Sequence, residues 1–198
     1  MQDSLFLDAP QPASDETPDA VNEELLRRAK SLPHFKERVF IFGEGPRGAR
    51  VAVVGESPGP PDIESGRPFM GPAGQMLERI LGSIGLARAD CYLTNVIKVI
   101  SQGEEITADW LALFTPYLHR ELAAVRPRVI ISFGNTPTRA LLRTKKPISQ
   151  LRGEFHDYDG VRLMPTFNPA YLLRDPTKKR EVWEDMKKVR ALLAGLKD

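Results

Sequence analysis

The sequence is poor in cysteine, in histidine and in long apolar runs. It has one cysteine, Cys91, and three histidines among 198 residues. One cysteine excludes an intrachain disulfide framework and a cysteine-rich metal site, and it fits a reducing compartment, so we expect a cytoplasmic protein. No apolar run approaches the length that crosses a membrane, and the first residues lack the pattern of a signal peptide. We therefore expect no membrane partner.

Basic residues are missing from the first 19 positions, which hold five acidic residues and neither lysine nor arginine. The formal charge of the whole chain is +2, so residues 20–198 carry +7. The segment 1–19 is rich in Pro, Asp and Ser, and we predict a disordered acidic tail. A basic body fits either a polyanionic partner or a solvated basic surface, and charge alone does not separate the two.

Short β-rich runs alternate with segments of helical periodicity along the rest of the chain. This order predicts an α/β fold, a three-layer α/β/α sandwich around a mainly parallel central sheet, with one domain over residues 20–198. Asp19 and Thr107 are expected to cap helices, and Pro116 to kink or split one. The predicted strands are 39–42, 50–54, 91–100, 128–133 and 161–165; the predicted helices are 20–32, 72–85, 108–125, one capped by Asn135 or Thr136, and 178–196.

Two glycine-rich motifs suggest activities that their context does not support. "GESPG" at 55–59 fits the nucleophile elbow of serine hydrolases, in which the residue after the serine donates its N–H to an oxyanion. Here that residue is Pro58, which has no N–H, and the prolines that follow are expected to block an immediate helix. "GEGPRG" at 43–48 fits a dinucleotide fingerprint, but a strand rather than a helix follows it. We predict neither a serine hydrolase nor a nucleotide cofactor.

Loops that follow three predicted strands are expected to converge, because ligands in such folds bind at the carboxyl ends of the strands. The three loops contain "GESPG" with "GRPFMG", "TN" and "TFNPAYLLR". Six segments along the chain include parts of these loops: "FGEGPRGARVAVVGESPG", "SGRPFMGPAGQMLERIL", "TNVIK", "RPRVIISFGNTPTRALL", "LRGEF" and "NPAYLLRDP". Together and in this order, they resemble the uracil-DNA glycosylase superfamily, most closely its family 4. The resemblance covers about residues 39–190 and implies a monomeric enzyme that acts on DNA containing deaminated bases.

Two features depart from the family 4 pattern. Members of that family usually hold an iron–sulfur cluster on four cysteines, and the corresponding stretches around 28–31 and 99–114 contain none. We therefore predict no cofactor and no metal, with Leu25, Leu32 and Phe35 packing in that region. The family's "HPAYLL" motif has Asn168 in place of histidine, as in the mismatch-specific branch, so the resemblance leaves the excised base open.

The resemblance assigns roles to residues in these loops. Phe69 stacks on a base that has rotated out of the duplex, and Asn95 reads its pairing edge. Gly55 and Gly59, the first and last residues of "GESPG", are also expected to bind the substrate. Glu56 orients or deprotonates the attacking water, and Ser57 holds that water by a hydrogen bond. Asn168 donates to the departing base. The residues alone also allow a core position for Phe69 and cap or turn positions for Asn95 and Asn168.

DNA contacts are predicted from the same motifs. Leu172 or Leu173 is the expected wedge in the minor groove, and Arg174 is expected to contact a phosphate or to fill the gap that the flipped base leaves in the stack. A helix whose leucines belong to the core fits the pattern equally well. The expected phosphate contacts are Arg67, Lys98 and Arg152. Together the motifs predict a monofunctional glycosylase that leaves an abasic site. The alternative is a catalytically weak or inactive relative that binds DNA or damaged bases.

Overall fold

The central sheet confirms the predicted fold class. The computed structural model describes residues 15–101 and 103–196. Its sheet has the order β2-β1-β3-β5-β4, in which β2, β1, β3 and β5 are parallel and β4 is antiparallel to β5. Every residue of the first three strands is buried, as expected for parallel strands covered on both faces. The strands are β1 (Val51–Gly55), β2 (Cys91–Asn95), β3 (Val129–Phe133), β4 (His156–Tyr158) and β5 (Val161–Thr166).

Helices pack on both faces of this sheet, which completes the three layers. One apolar cluster joins Ala52 and Val54 to helices α1, α4 and α5, and the other joins Val51 and Val53 to α3, α7 and α8. None of the described helices is long and apolar enough to span a membrane. The helices are α1 (Pro18–Lys30), α2 (Pro60–Ser65), α3 (Gly71–Gly82), α4 (Ala108–Val125), α5 (Asn135–Leu142), α6 (Ile148–Leu151), α7 (Pro169–Arg174) and α8 (Lys179–Gly195).

Three predicted strand and helix assignments near the sheet edge are wrong. Residues 39–42 form no strand; their contacts with the segment after β2 include the isolated bridge between Phe40 and Val99 and a hydrogen bond from Ile41 N to the Lys98 carbonyl. The strand predicted over 91–100 ends at Asn95, and the N–H groups of Val96 and Ile97 then donate to the carbonyls of Gly55 and Glu56. The prolines after Gly59 begin α2 instead of blocking it, since proline is tolerated in the first turn of a helix.

Helix ends differ from the sequence predictions by a few residues. Thr17, not Asp19, caps α1, and Gly134 precedes α5, which leaves the side chains of Asn135 and Thr136 for other contacts. Thr107 caps α4 as predicted, and Pro116 does not split that helix.

Residues 1–14 of the predicted tail lie outside the described part, but its boundary at 19 is wrong. The domain already includes Glu16, which forms an ion pair with Arg120, and the helix that starts at Pro18.

Candidate active site

The ends of neighbouring parallel strands bring the predicted base-binding residues together. Gly55 ends β1 and is paired in register with Asn95, which ends β2. A methyl group placed on Gly55 would overlap Asn95 Oδ1 and lie 2.6 Å from Phe69 Cζ. The aromatic ring and the amide therefore meet over the backbone of Gly55, and only glycine leaves room for both. Phe69, Asn95 and Gly55 thus share one site, while Gly59 serves as the N-cap of α2.

Glu56 faces the turn between β3 and α5. Its carboxylate accepts a hydrogen bond from the Thr136 hydroxyl, and its carbonyl accepts one from Ile97 N at 2.9 Å. Thr136 is the second residue of α5, so the carboxylate lies at the first turn of a helix, where negative charge is favoured. Ser57 is half-buried beside it. Sequence reasoning missed the Thr136 contact, because the two partners are 80 positions apart.

Asn168 contacts the same turn from the other side. Its Oδ1 accepts a hydrogen bond from Ala170 N at 2.8 Å and caps α7, and its Nδ2 donates to the Phe133 carbonyl at 3.5 Å. A methyl group on Gly134 would lie 3.4 Å from Asn168 Cβ. Asn168 is therefore a helix cap, and that contact turns its amide nitrogen toward the turn that Glu56 also contacts.

Lys98 is not a phosphate contact, and that prediction is wrong. The side chain is 0% exposed. Its ammonium donates to Glu121 Oε2 and Thr94 Oγ1, each at 2.6 Å, and to the Asn95 carbonyl at 2.8 Å. Burial lowers the pKa of Lys98, and the charge of Glu121 opposes that shift. This buried ion pair is therefore hydrogen-bonded to the backbone of Asn95.

Arg152 is 18% exposed, and its guanidinium is already held by carboxylates and a carbonyl of α8, which argues against its predicted phosphate contact. Its guanidinium binds the carboxylate of Asp185 and donates to the Glu181 carbonyl at 2.6 Å. Asp185 is buried, and burial raises the pKa of its carboxyl while Arg152 opposes that change. A buried carboxylate needs such a counter-charge. Arg152 therefore joins the end of α6 to α8, while Thr166 of β5 donates to the same carboxylate at 2.6 Å. By contrast, Arg67 stays 54% exposed while it pairs with Glu44.

The two leucines predicted as the minor-groove wedge differ in burial. Leu172 is 1% exposed and belongs to the core beside α3 and α8, so it cannot enter a duplex in this conformation. Leu173 is 42% exposed, and the neighbouring Arg174 is also exposed. Helix α7 therefore has one leucine in the core and one at the surface, and Leu173 stays the predicted wedge.

The residues present do not fit an iron–sulfur cluster. Cys91 is the one cysteine of the sequence and is buried in β2, where burial raises the pKa of its thiol to about 12. Phe35 packs edge-on against Trp110 and Phe114 of the stretch 99–114, and Arg38 pairs with Glu104 of the same stretch. The described residues include no group of three His, Cys, Asp or Glu side chains that could hold a metal.

Packing in this region agrees with the sequence prediction at two of three positions. Leu25 and Phe35 are buried as predicted, whereas Leu32 is 40% exposed. We expect the purified protein to contain no stoichiometric iron, because one thiol cannot replace four ligands. Iron analysis and the visible absorption spectrum of freshly purified protein measure this. A brown protein with about four iron atoms per chain would contradict it.

Comparisons with known proteins agree with the geometry. The family model described as the uracil DNA glycosylase superfamily matches residues 42–187. A type-4 uracil-DNA glycosylase of Saccharolobus solfataricus is 32% identical over 188 residues, which cover 89% of this chain and 87% of that protein. A type-4 enzyme of Thermotoga maritima is also 32% identical, with 86% and 92% covered, and a type-5 enzyme of Pyrobaculum aerophilum is 30% identical, with 74% and 72% covered.

A solved structure supports the fold. The crystal structure of Pedobacter heparinus SMUG2 superposes with a TM-score of 0.52 at 13% identity, and the match covers 74% of this chain and 77% of that one.

Proposed function

Because the chain belongs to the uracil DNA glycosylase superfamily, we propose that it hydrolyses the bond between uracil and deoxyribose in DNA and leaves an abasic site. The type-4 relatives, similar over most of their length, support a hydrolytic DNA glycosylase that acts in DNA repair. The observation that carries the proposal is the meeting of the Phe69 ring and the Asn95 amide over Gly55. A flat apolar face beside an amide suits a flipped pyrimidine.

Base capture is assigned to Phe69 and Asn95. The ring of Phe69 covers one face of the base, and the amide of Asn95 offers a donor and an acceptor to its pairing edge. Leu173 and Arg174 stand at the exposed end of α7 and are the groups that fill the gap left in the duplex. Arg67 is the remaining candidate for a phosphate contact.

Bond cleavage is assigned to Glu56 and Ser57, which follow β1, and to Asn168, which follows β5; Glu56 and Asn168 both contact the turn between β3 and α5. A water held by Glu56 and Ser57 attacks C1′ of the sugar as the bond from C1′ to the base breaks, and the bonding electrons leave with the base. Glu56 takes the proton of the water and stabilises the positive charge on the sugar. Asn168 Nδ2 donates to the base as it becomes an anion. The Lys98 ammonium is enclosed by Glu121, Thr94 and Asn95, which supports a monofunctional enzyme without a Schiff-base step.

The test is release of free base from oligonucleotides that carry one uracil, hypoxanthine, xanthine or mismatch, in single and double strands. We expect free uracil and strand cleavage only after alkali, and no product from a matched thymine oligonucleotide. Binding without any released base would instead support an inactive relative that recognises DNA. Strand cleavage without alkali would contradict the monofunctional mechanism.

The acidic tail is not expected to take part in DNA binding. Removing residues 1–14 deletes Asp3 and Asp8 but keeps the ion pair of Glu16 with Arg120. Affinity for DNA should then be equal or higher, and it should fall steeply with salt in both proteins as counterions are released. Titrations at several salt concentrations measure this. Weaker binding by the truncated protein would assign the tail a role in binding.

We also propose that the protein acts as a monomer in the cytoplasm. The buried thiol of Cys91 fits a reducing compartment.

A further inference from the structure

Both polar groups of the peptide bond between Phe69 and Met70 are held by charged side chains. The Phe69 carbonyl accepts a hydrogen bond from Arg88 Nη1 at 2.9 Å, and the Met70 N–H donates to Asp62 Oδ1 at 2.6 Å. Arg88 also donates to the Pro68 carbonyl, and the second oxygen of Asp62 accepts from Gly59 N at 2.9 Å. Asp62 is buried and Arg88 is mostly buried. The plane of this peptide is therefore fixed from both sides.

This peptide needs to be held, because Phe69 adopts a backbone conformation that side chains rarely take. Its φ is +56°, in the left-handed region. The Phe69 carbonyl also approaches helix α3 so closely that a methyl group on Gly74 would overlap it. A bulky residue in this conformation persists only when the surroundings impose it.

The same contacts connect the stacking ring to the residue that reads the base edge. Arg88 Nε donates to Glu44 Oε1 at 3.1 Å, and Arg67 Nε donates to Glu44 Oε2 at 2.9 Å. Glu44 is anchored to β2 by paired backbone hydrogen bonds with Leu93, at 2.8 and 2.9 Å. Leu93 lies two residues before Asn95. A chain of strong contacts thus joins the loop of Phe69 to the strand that presents Asn95.

We propose that Arg88, together with Asp62, is a positioning residue that holds the Phe69 ring at its place over the flipped base. We call the hydrogen bonds of Arg88 and Asp62 to the Phe69–Met70 peptide bond the clamp. The effect of Arg88 on uracil excision rests on the proposed function, whereas the clamp does not. Because a small misplacement of a binding group can reduce the rate about 100-fold, Arg88→Gln should lower the single-turnover rate by about 10- to 100-fold. Arg88→Lys should not restore it, since an ammonium cannot span Glu44 and two carbonyls.

The decisive experiment is a double-mutant cycle with Phe69→Ala, combined with amide hydrogen exchange at Met70. If Arg88 acts through Phe69, Arg88→Gln should lower the single-turnover rate of the Phe69→Ala variant by less than about 3-fold. Exchange of the Met70 N–H should become at least about 10-fold faster in Arg88→Gln. Arg79→Gln, which changes an exposed arginine on α3, should alter neither rate. Thermal unfolding of each variant is measured in parallel.

The outcomes separate this inference from the proposed function. An equal loss of activity from Arg88→Gln with and without the Phe69 ring would overturn the positioning role, and so would unchanged exchange at Met70. A wild-type protein that releases no uracil would refute the proposed function, and Met70 exchange would then decide the clamp alone.

Discussion

Replacing Lys98 with methionine is expected to lower the free energy of unfolding by about 3–5 kcal/mol. Lys98 and Glu121 are both fully buried, and each donor and acceptor in this pair has a partner. The ammonium makes three hydrogen bonds, and the other oxygen of Glu121 accepts from the Tyr92 and Thr94 hydroxyls at 2.8 and 3.0 Å. Methionine fills most of the space but leaves the carboxylate of Glu121 buried without a counter-charge. Denaturant unfolding of both proteins measures the loss.

A second substitution distinguishes the lost charge from lost packing. Combining Lys98→Met with Glu121→Leu removes both charges, so much of the lost free energy of unfolding should return. Lys36→Met changes an exposed lysine and should stay within about 0.5 kcal/mol of wild type. If Lys98→Met and the wild type have the same denaturant midpoint of unfolding, the pair contributes no stability. A double variant less stable than Lys98→Met would show that packing dominates.

Lys98 also shows why sequence reasoning can mistake a buried ion-pair residue for a phosphate contact. Within "TNVIK" a lysine near a strand end looks like a cation for phosphate, and nothing local indicates burial. The reason for its burial is Glu121, which lies 23 residues later on helix α4. Arg152 was misjudged in the same way, because Asp185 lies 33 residues further on. Ion pairs between distant segments depend on the packing of layers, which the sequence pattern does not encode.

The features that could be predicted are those with a local cause. Buried strands are largely apolar runs, so the sequence predicts β1, β3 and most of β5, and it predicts β2 with five residues too many. Parallel strands then bring their carboxyl ends together, which placed Gly55 and Asn95 at one edge. The short edge strand β4 has little apolar character and was missed. Thr136, Asp62 and Arg88 were also missed, because their roles come from partners in other loops.

The strongest expected effect on catalysis comes from Asn168→Asp. Aspartate and asparagine are equally good helix caps, so the hydrogen bond from Ala170 N and the stability of α7 should be preserved. The change replaces only the amide N–H group with a carboxylate oxygen, which repels a departing anion instead of donating to it. The single-turnover rate should therefore fall by about 10- to 1000-fold while DNA binding stays nearly intact. Rapid-quench assays with excess enzyme measure the rate.

Further variants separate the cap from the donor. Asn168→Ser keeps a capping oxygen but has no amide, and it should lose at most as much rate as Asn168→Asp, because it adds no negative charge. Asn168→Ala should lose the same rate and also about 1 kcal/mol of stability with the cap. Phe69→Ala and Asn95→Ala should impair base capture whatever residue occupies position 168. If the Asp and Ser variants cleave at the wild-type rate while these controls are impaired, Asn168 is only the cap of α7. Stabilisation of the sugar cation and activation of water would then rest on Glu56, held by Thr136 on the same turn.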